Sequence, residues 1–384
     1  MNTGRQKELD VARGLAVFFM VLVHVQMLLA MEHVPATRIG QAVDFFGSIP
    51  AAPVFMFLLG IGINYSRKAE PRLLIRRGLG LLAMGYGLNT IRAIFPYLIR
   101  LWTTQWEGYL TLAVQNLIYV DILQFAGLAL IMFGLLKMTR HCYGLAALFA
   151  IIGPLLNFIV PQMQTSTTVA SAITGLLWGS SPTSYFPFLT WSFYPLTGFL
   201  FGARLLHCRD KKRFYTITLP VAVLVAISLA AFAVVRELDI GLSSEYSYYH
   251  HTLLANLFFT AFVVGWISLW YFLTPWIPAR ISHVLLRWSK NVTAIYFIHW
   301  IVISLVLLGI AFNALGTWSS MGAALLIMAS SDALARIFYK LRSKRTMSAH
   351  SESAAQCGGQ HGQNGGPASG ASLRELPCNF NADS

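Results

Sequence analysis

An arginine and a histidine, Arg13 and His24, share a stretch that otherwise suits only lipid. From Leu15 to Met31 the only strongly polar side chains are His24 and Gln26. On a helix, eleven steps of about 100° return to within roughly 20° of the start, so the two side chains share one face. A rise of about 1.5 Å per residue sets the imidazole roughly 16 Å deeper than the guanidinium. An ionisable group at that depth is costly unless it faces the protein interior or a wet cavity, so it marks a candidate site. Apolar surroundings favour the neutral imidazole. That form can take a proton from a hydroxyl or amine, or attack a thioester itself. The competing role is a histidine that only bonds neighbouring helices together.

Other polar groups recur at comparable depths. Tyr296 and His299 are three apart and share a helix face. Counted from Arg287 and Lys290, His299 lies roughly 14–18 Å in, the depth expected for His24. Asp121 is the one acid well inside the middle apolar runs, roughly 24 Å along its helix from Lys137. Such carboxylates are usually paired, and Arg92 is a partner of suitable depth. Arg13 has an alternative of its own, an ion pair with Asp10 across one helical turn. A run of cations, Arg67, Lys68, Arg72, Arg76 and Arg77, follows Gly60 and Gly62. Guanidinium forks suit phosphate oxygens, and the same residues also serve as topology determinants. His33 lies just beyond the first apolar run, where it would cap the outer end of a cavity.

The elements that must position these groups are membrane helices. The chain is 56% hydrophobic, 11% charged and has a mean hydropathy of +0.60. Apolar runs near the length that crosses a bilayer recur about ten times, at 11–30, 50–66, 78–99, 114–136, 142–160, 186–206, 214–235, 252–276, 292–312 and 318–338. They are continuous rather than alternating, which argues against a membrane barrel. The Thr- and Ser-containing stretch 161–185 has the composition of a short re-entrant element. If the N-terminus is cytoplasmic, most of the 28 Lys and Arg residues fall in inside segments, as the positive-inside rule requires. The net charge of +13 is therefore a topology signal rather than a nucleic-acid footprint. Glu8 and Asp10 before the first run, and its length, argue against a signal peptide. Cys142, Cys208, Cys357 and Cys378 all fall on the expected cytoplasmic side, so no disulfide framework is expected. No zinc spacing, P-loop, dinucleotide turn or nucleophile elbow occurs. From about Thr346 the composition turns to Gly, Ser, Gln and Asn, which predicts a disordered tail over 346–384.

Several segments together resemble a known family. Leu9-Asp10-Val11-Ala12-Arg13-Gly14-Leu15-Ala16 with Met20 to His24 resembles the opening of heparan-α-glucosaminide N-acetyltransferase-like membrane proteins. The spacing of Arg13 and His24 is also similar to that of the wider acyltransferase-3 family. Pro53 to Gly60, Val120 to Gln124, Pro187 to Trp191 with Gly198, and Asn291 to His299 extend the likeness over the membrane domain. The resemblance implies a multi-pass enzyme that takes an acyl group, acetyl above all, from cytoplasmic acyl-CoA to a glycan or other acceptor. In the acyltransferase-3 family the equivalents of Arg13 and His24 are essential. The heparan enzyme carries Asn where His24 stands, and its working histidine follows the first helix, which makes His33 the rival base. Arg76 and Arg77 match the family's cytoplasmic cation cluster loosely.

The expectation is an all-α integral membrane protein, a bundle of about ten transmembrane helices with both termini cytoplasmic. Residues 1–345 form its acyltransferase-like domain and 346–384 its tail. His24, His33, Tyr296, His299 and Asp121 are the catalytic candidates. Arg13, Arg72, Arg76 and Arg77 are the candidates for binding acetyl-CoA or another acyl-CoA. The partners expected are membrane lipids and a glycan or lipid-linked acceptor, with no metal and no nucleic acid, in an inner or plasma membrane. A transporter, or a non-catalytic membrane sensor of the same fold, is the alternative.

Overall fold

Backbone inside a bilayer finds no water, so a continuous apolar run must close its own hydrogen bonds as a helix. The computed structural model describes residues 3–67, 69–105, 107–159, 174–178 and 184–360, and these are helical with short connections. In chain order the helices are α1 (Lys7–Leu29), α2 (Arg38–Ser48), α3 (Ala52–Tyr65) and α4 (Pro71–Asn89). A π-helical turn (Thr90–Ile94) leads to α5 (Phe95–Thr104), α6 (Gly108–Leu117), α7 (Ile122–Leu136) and α8 (Cys142–Ile159). Then come α9 (Phe188–Trp191), α10 (Phe193–His207), α11 (Lys211–Val235) and α12 (Glu245–Tyr249). The chain closes with α13 (Leu253–Leu273), α14 (Ala279–Lys290), α15 (Val292–Gly309) and α16 (Thr317–Gln360).

Among the described residues six helical segments are long and apolar enough to cross a membrane: Lys7–Leu29, Arg38–Tyr65, Lys211–Val235, Leu253–Trp276, Val292–Gly309 and Thr317–Ser343. The other expected crossings are helical too, but shorter or broken. The run 78–99 passes through the π-helical turn, 114–136 is interrupted between Leu117 and Ile122, and 186–206 breaks at Ser192. Each break falls on polar residues, and irregular backbone at membrane depth is tolerated only where protein buries it or it lines a cavity. Most of the stretch expected to be re-entrant lies outside the described residues, as do residues 361–384 of the tail. Helix α16 continues to Gln360, beyond Thr346 where composition predicts disorder. Ser, Ala and Glu over 351–355 are tolerable helix formers, so propensity does not stop it there. The chain divides into two units, Met1–Ala335 and Arg336–Ser384, and the candidate site belongs wholly to the first.

Helix α1 is the hub of that unit, packed by α2, α3, α13, α14 and α15. Its buried face includes Ala12, Ala16, Val17, Val21 and Val25, all fully buried. Helix α3 packs on α1 and meets α10 backbone to backbone. A Cβ on Gly60 would strike the carbonyl of Pro195, and one on Gly198 the carbonyl of Phe57. Small residues at such crossings are what close helix approach in a membrane requires.

Polar ties fix the end of α1 that carries Arg13. Glu8 is buried, takes Lys211 Nζ at 2.7 Å and accepts the Tyr215 hydroxyl at 3.0 Å, which joins α1 to α11. Asp10 Oδ2 takes Arg5 at 2.6 Å, and its Oδ1 accepts the Ser289 hydroxyl at 2.8 Å. The expected Asp10–Arg13 pair is stretched to 3.8 Å. Arg287 forks onto Asp332 with bonds of 2.9 and 2.8 Å.

Candidate active site

His24, half-buried on α1, and His299, fully buried on α15, face each other with Nδ1 of the first 2.8 Å from Nε2 of the second. Their rings lie nearly parallel, and the Trp300 ring packs 4.5 Å from that of His24. The hydrogen-bond chain determines the tautomers. His299 Nδ1 sits 3.1 Å from the Ile295 carbonyl, which can only accept, so this nitrogen carries the proton. Nε2 of neutral His299 is then an acceptor, and His24 Nδ1–H must donate to it. That leaves the lone pair of His24 on Nε2, the atom a general base would use. The carbonyl–imidazole–imidazole series orients the outer ring much as a buried acceptor orients a catalytic histidine.

Asp121 sits in the break between α6 and α7, where it is the N-cap of α7. Its Oδ1 accepts the Ile122 N–H at 2.7 Å and Gln124 completes a capping box. Oδ2 accepts the Tyr296 hydroxyl at 2.7 Å and meets Arg92 at 2.6 Å. Arg92 comes from the π-helical turn, donates to Asn89 Oδ1 at 3.0 Å and lies 4.5 Å over the Trp300 ring. Asn89 in turn donates to the Leu117 and Tyr119 carbonyls at 3.0 and 2.8 Å, capturing free acceptors at the broken end of α6. The pairing of Asp121 with Arg92 therefore holds, and the same carboxylate also positions Tyr296.

Two cavities meet at this cluster. One of about 480 Å³, called outer for its place toward the C-terminal half of α1, is lined by His24, Asp44, Asp121, Glu245, Tyr248 and Tyr296, among others. One of about 350 Å³, called inner for its place toward the N-terminal half of α1, contains Arg13, Gly62, Ser66, Arg77 and Thr293. Met20, Phe55, Ile122 and Tyr296 line both, and so form the partition between them. A third, side cavity of about 220 Å³ shares His24 and Asp121 with the outer one and reaches past Arg92 to Arg100 and Phe312.

The structure thus brings His24, His299, Tyr296 and Asp121 together, and sets Arg13 and Arg77 on one inner cavity. Arg13 donates a long 3.5 Å bond to Ser289 and lies 3.8 Å from Asp10. Arg72 and Arg76 are exposed and line none of the three cavities, because they leave α4 in other directions than Arg77. His33 is also exposed and lines none of them. Its loop turns back toward α2 through hydrogen bonds of Val34, Ala36 and Thr37. Sequence reasoning gave no site role to Asp44, Tyr248, Tyr249 or Trp300. Gln26, noted only as a polar exception on α1, donates to Asp44 at 2.6 Å and so pins α2 beside the outer cavity. Burial pushes the Tyr248 and Tyr249 phenols well up, so they stay protonated there. His251 is fully buried just before α13, bonded to Tyr194 at 2.7 Å. Burial, with His250 beside it, lowers its pKa to about 3.

Residues 5–232 match the family model described as the catalytic region of heparan-alpha-glucosaminide N-acetyltransferase. The chain belongs to this family. The matched region contains Arg13, His24, Arg77, Arg92 and Asp121, whereas Tyr296 and His299 lie beyond it. No curated protein matches the chain. Family membership and the six apolar helices make it a membrane protein of acetyltransferase type.

Proposed function

We propose that this membrane protein transfers acetyl from acyl-CoA at its inner face to a hydroxyl or amine of a glycan-type acceptor at its outer face. The observation that carries this reading is the pair of cavities that abut at Tyr296, with His24 at the outer side of the partition and Arg13 and Arg77 on the inner side. Ten crossings with cytoplasmic termini, the arrangement that fits the Lys and Arg distribution, would put the inner cavity on the side where acyl-CoA is made.

Acyl-CoA would place its phosphates near Arg13 and Arg77, with the pantetheine arm running along the surface left open by Gly62. A Cβ there would meet nothing within 4 Å. The thioester would reach the partition between Met20 and Tyr296. His24 Nε2 takes the proton from the acceptor hydroxyl or amine as its oxygen or nitrogen attacks the thioester carbonyl. The C–S bond breaks, and the imidazolium returns the proton to the leaving thiolate. His299 holds Nδ1–H throughout and stabilises the charge that forms on the ring. Asp121 has both oxygens engaged, so it is a positioning residue rather than the base. Tyr296 has its one proton on Asp121, which leaves its lone pairs to accept from the acceptor. A carrier with alternating access would also have stacked cavities.

The test is the purified full-length protein with radiolabelled acetyl-CoA and candidate sugar acceptors. Acetyl should move to the acceptor, and His24→Ala should abolish transfer while the protein still inserts and purifies normally. Undiminished transfer in that variant would remove the mechanism. Flux of a solute without thioester loss would establish the carrier instead.

A further inference from the structure

The acetyl-transfer steps leave one polar side chain of the outer cavity without a task. Asp44, Gly47, Ser48 and Ala51 line that cavity at helical spacing, so they form one face along α2 and just past its end. Three of the four are small, and Asp44 is the long polar side chain among them. Gln26, two residues beyond His24 on α1, donates to its Oδ1 at 2.6 Å and holds the carboxylate in place. Oδ2 accepts from no described residue. Tyr248 and Tyr249 of α12 add aromatic surface to the same cavity. The Tyr248 hydroxyl donates to the Ser48 carbonyl at 3.0 Å, which ties α12 to the end of α2.

The charge on this wall is unbalanced. Asp121 is neutralised by Arg92 and adds no open charge. Asp44 has no such counterion, since no described Lys or Arg pairs with it or lines the cavity. Glu245, exposed on α12, has the same sign. A fixed carboxylate accepts hydroxyl protons, and aromatic rings cover the C–H faces of a sugar ring. A second anion at that place is repelled instead. At about 5 Å and an effective dielectric of about 20, two like charges weaken binding by roughly 100-fold. The volume of about 480 Å³ falls within the range of small-ligand pockets.

We propose that Asp44 determines acceptor specificity: its open oxygen accepts one hydroxyl of an uncharged sugar whose other hydroxyl lies at His24, and its charge excludes uronates and other anionic glycans. The role of that sugar as acetyl acceptor rests on the acetyltransferase reading; the charge selection does not.

The experiment is saturation-transfer NMR on the full-length protein in phosphatidylcholine nanodiscs, without acetyl-CoA and with empty discs subtracted. The probes are methyl hexoside, methyl hexuronide and methyl hexuronamide, each in gluco and galacto form. The amide matches the uronate in shape and lacks its charge. In at least one sugar series the hexoside and the amide should bind saturably, and the hexuronide at least about tenfold more weakly. Equal exclusion of the amide would assign the selection to shape and overturn the proposal. Equal binding of the hexuronide, or binding of none of the probes, would overturn it too. Asp44→Asn keeps an oxygen for Gln26 and should bring the hexuronide to within about threefold of the hexoside. Asp44→Ala should weaken the hexoside itself about tenfold, as loss of a hydrogen bond to a charged group does. Unchanged discrimination in Asp44→Asn would deny Asp44 this role, and the wild-type amide comparison carries the test if that variant does not fold. With radiolabelled acetyl-CoA added, acetylation of hexuronide as readily as hexoside would sink this inference and leave the acetyltransferase standing. Charge-selective binding without any acetyl transfer would do the reverse.

Discussion

Replacing His299 separates a catalytic relay from a mere helix contact. His24 Nδ1–H donates to His299 Nε2 over 2.8 Å, and that bond, its direction set by the Ile295 carbonyl at the far end of the chain, selects the tautomer with its lone pair on Nε2. As His24 gains a proton, the bond becomes charge-assisted, and such bonds contribute about 1.5–3 kcal/mol. His299→Ala should therefore lower kcat by roughly 10- to 150-fold. His24→Ala, which removes the base itself, should cost about 10²–10⁴-fold. His299→Gln presents a carbonyl oxygen that can accept the same proton, so it should recover a large part of the loss. The Michaelis constant for acetyl-CoA should barely move in either His299 variant, because Arg13 sits roughly 16 Å along α1 from His24.

The assay is steady-state transfer of radiolabelled acetyl in detergent or nanodiscs, with thermal unfolding measured on the same preparations. His299 is fully buried, so His299→Ala also leaves a void and should lower stability by about 1–3 kcal/mol. That loss is separable, since kcat is read per folded molecule well below the unfolding temperature. Wild-type kcat in His299→Ala would refute the relay. So would a Gln variant no better than Ala, or a loss that appears in the acetyl-CoA constant instead.

Three further expectations follow from the same geometry. Arg92→Met leaves the Asp121 carboxylate buried without its ion partner and should cost about 3–5 kcal/mol in thermal unfolding, while the double variant with Asp121→Asn should cost less than Arg92→Met alone; additive losses would deny the coupling. Gly62→Leu starts from a Cβ with nothing within 4 Å and extends a side chain into the inner cavity, so it should raise the acetyl-CoA constant about tenfold with melting little changed; an unaltered constant would place the donor elsewhere. His251 titrates near 3 when folded and about 6.5 when unfolded, so the native state should lose stability as pH falls from 6.5 toward 3, by about 1.4 kcal/mol per unit. His251→Gln should flatten that part of the melting profile, and an unchanged slope would assign the pH dependence to other groups.

What could be read in the sequence followed from quantities fixed within one helix. The common face of Arg13 and His24, and the equal depth of His24 and His299, depend only on rise and turn, and the two imidazoles do touch. Asp121 had to find a partner, and Arg92 was one of suitable depth. Directions between elements are not fixed that way. Arg76 and Arg77 are adjacent in the run of cations, yet only Arg77 reaches the inner cavity. Glu8 looked like a flanking acid of the first helix, but α11 covers it with Lys211 and Tyr215. The break before α7 was hidden in a continuous apolar run, although Asp121 with Gln124 three residues later spells a capping box.

The placement of Asp121 decides more than its own role. A carboxylate at membrane depth with an open oxygen would rival His24 as base, and the acceptor would then be bound around it. Here Oδ1 is held by the N-terminus of α7, and Oδ2 is shared by Arg92 and Tyr296. Freeing either oxygen would unmake a helix cap or strand a buried guanidinium. The carboxylate therefore works as a clamp that fixes three chain segments: the π-helical turn, the start of α7 and the first turns of α15. These three segments define where the inner, outer and side cavities converge. His24, arriving on the uninterrupted α1, is the titratable group at that junction whose hydrogen bonds leave one nitrogen lone pair open for a proton.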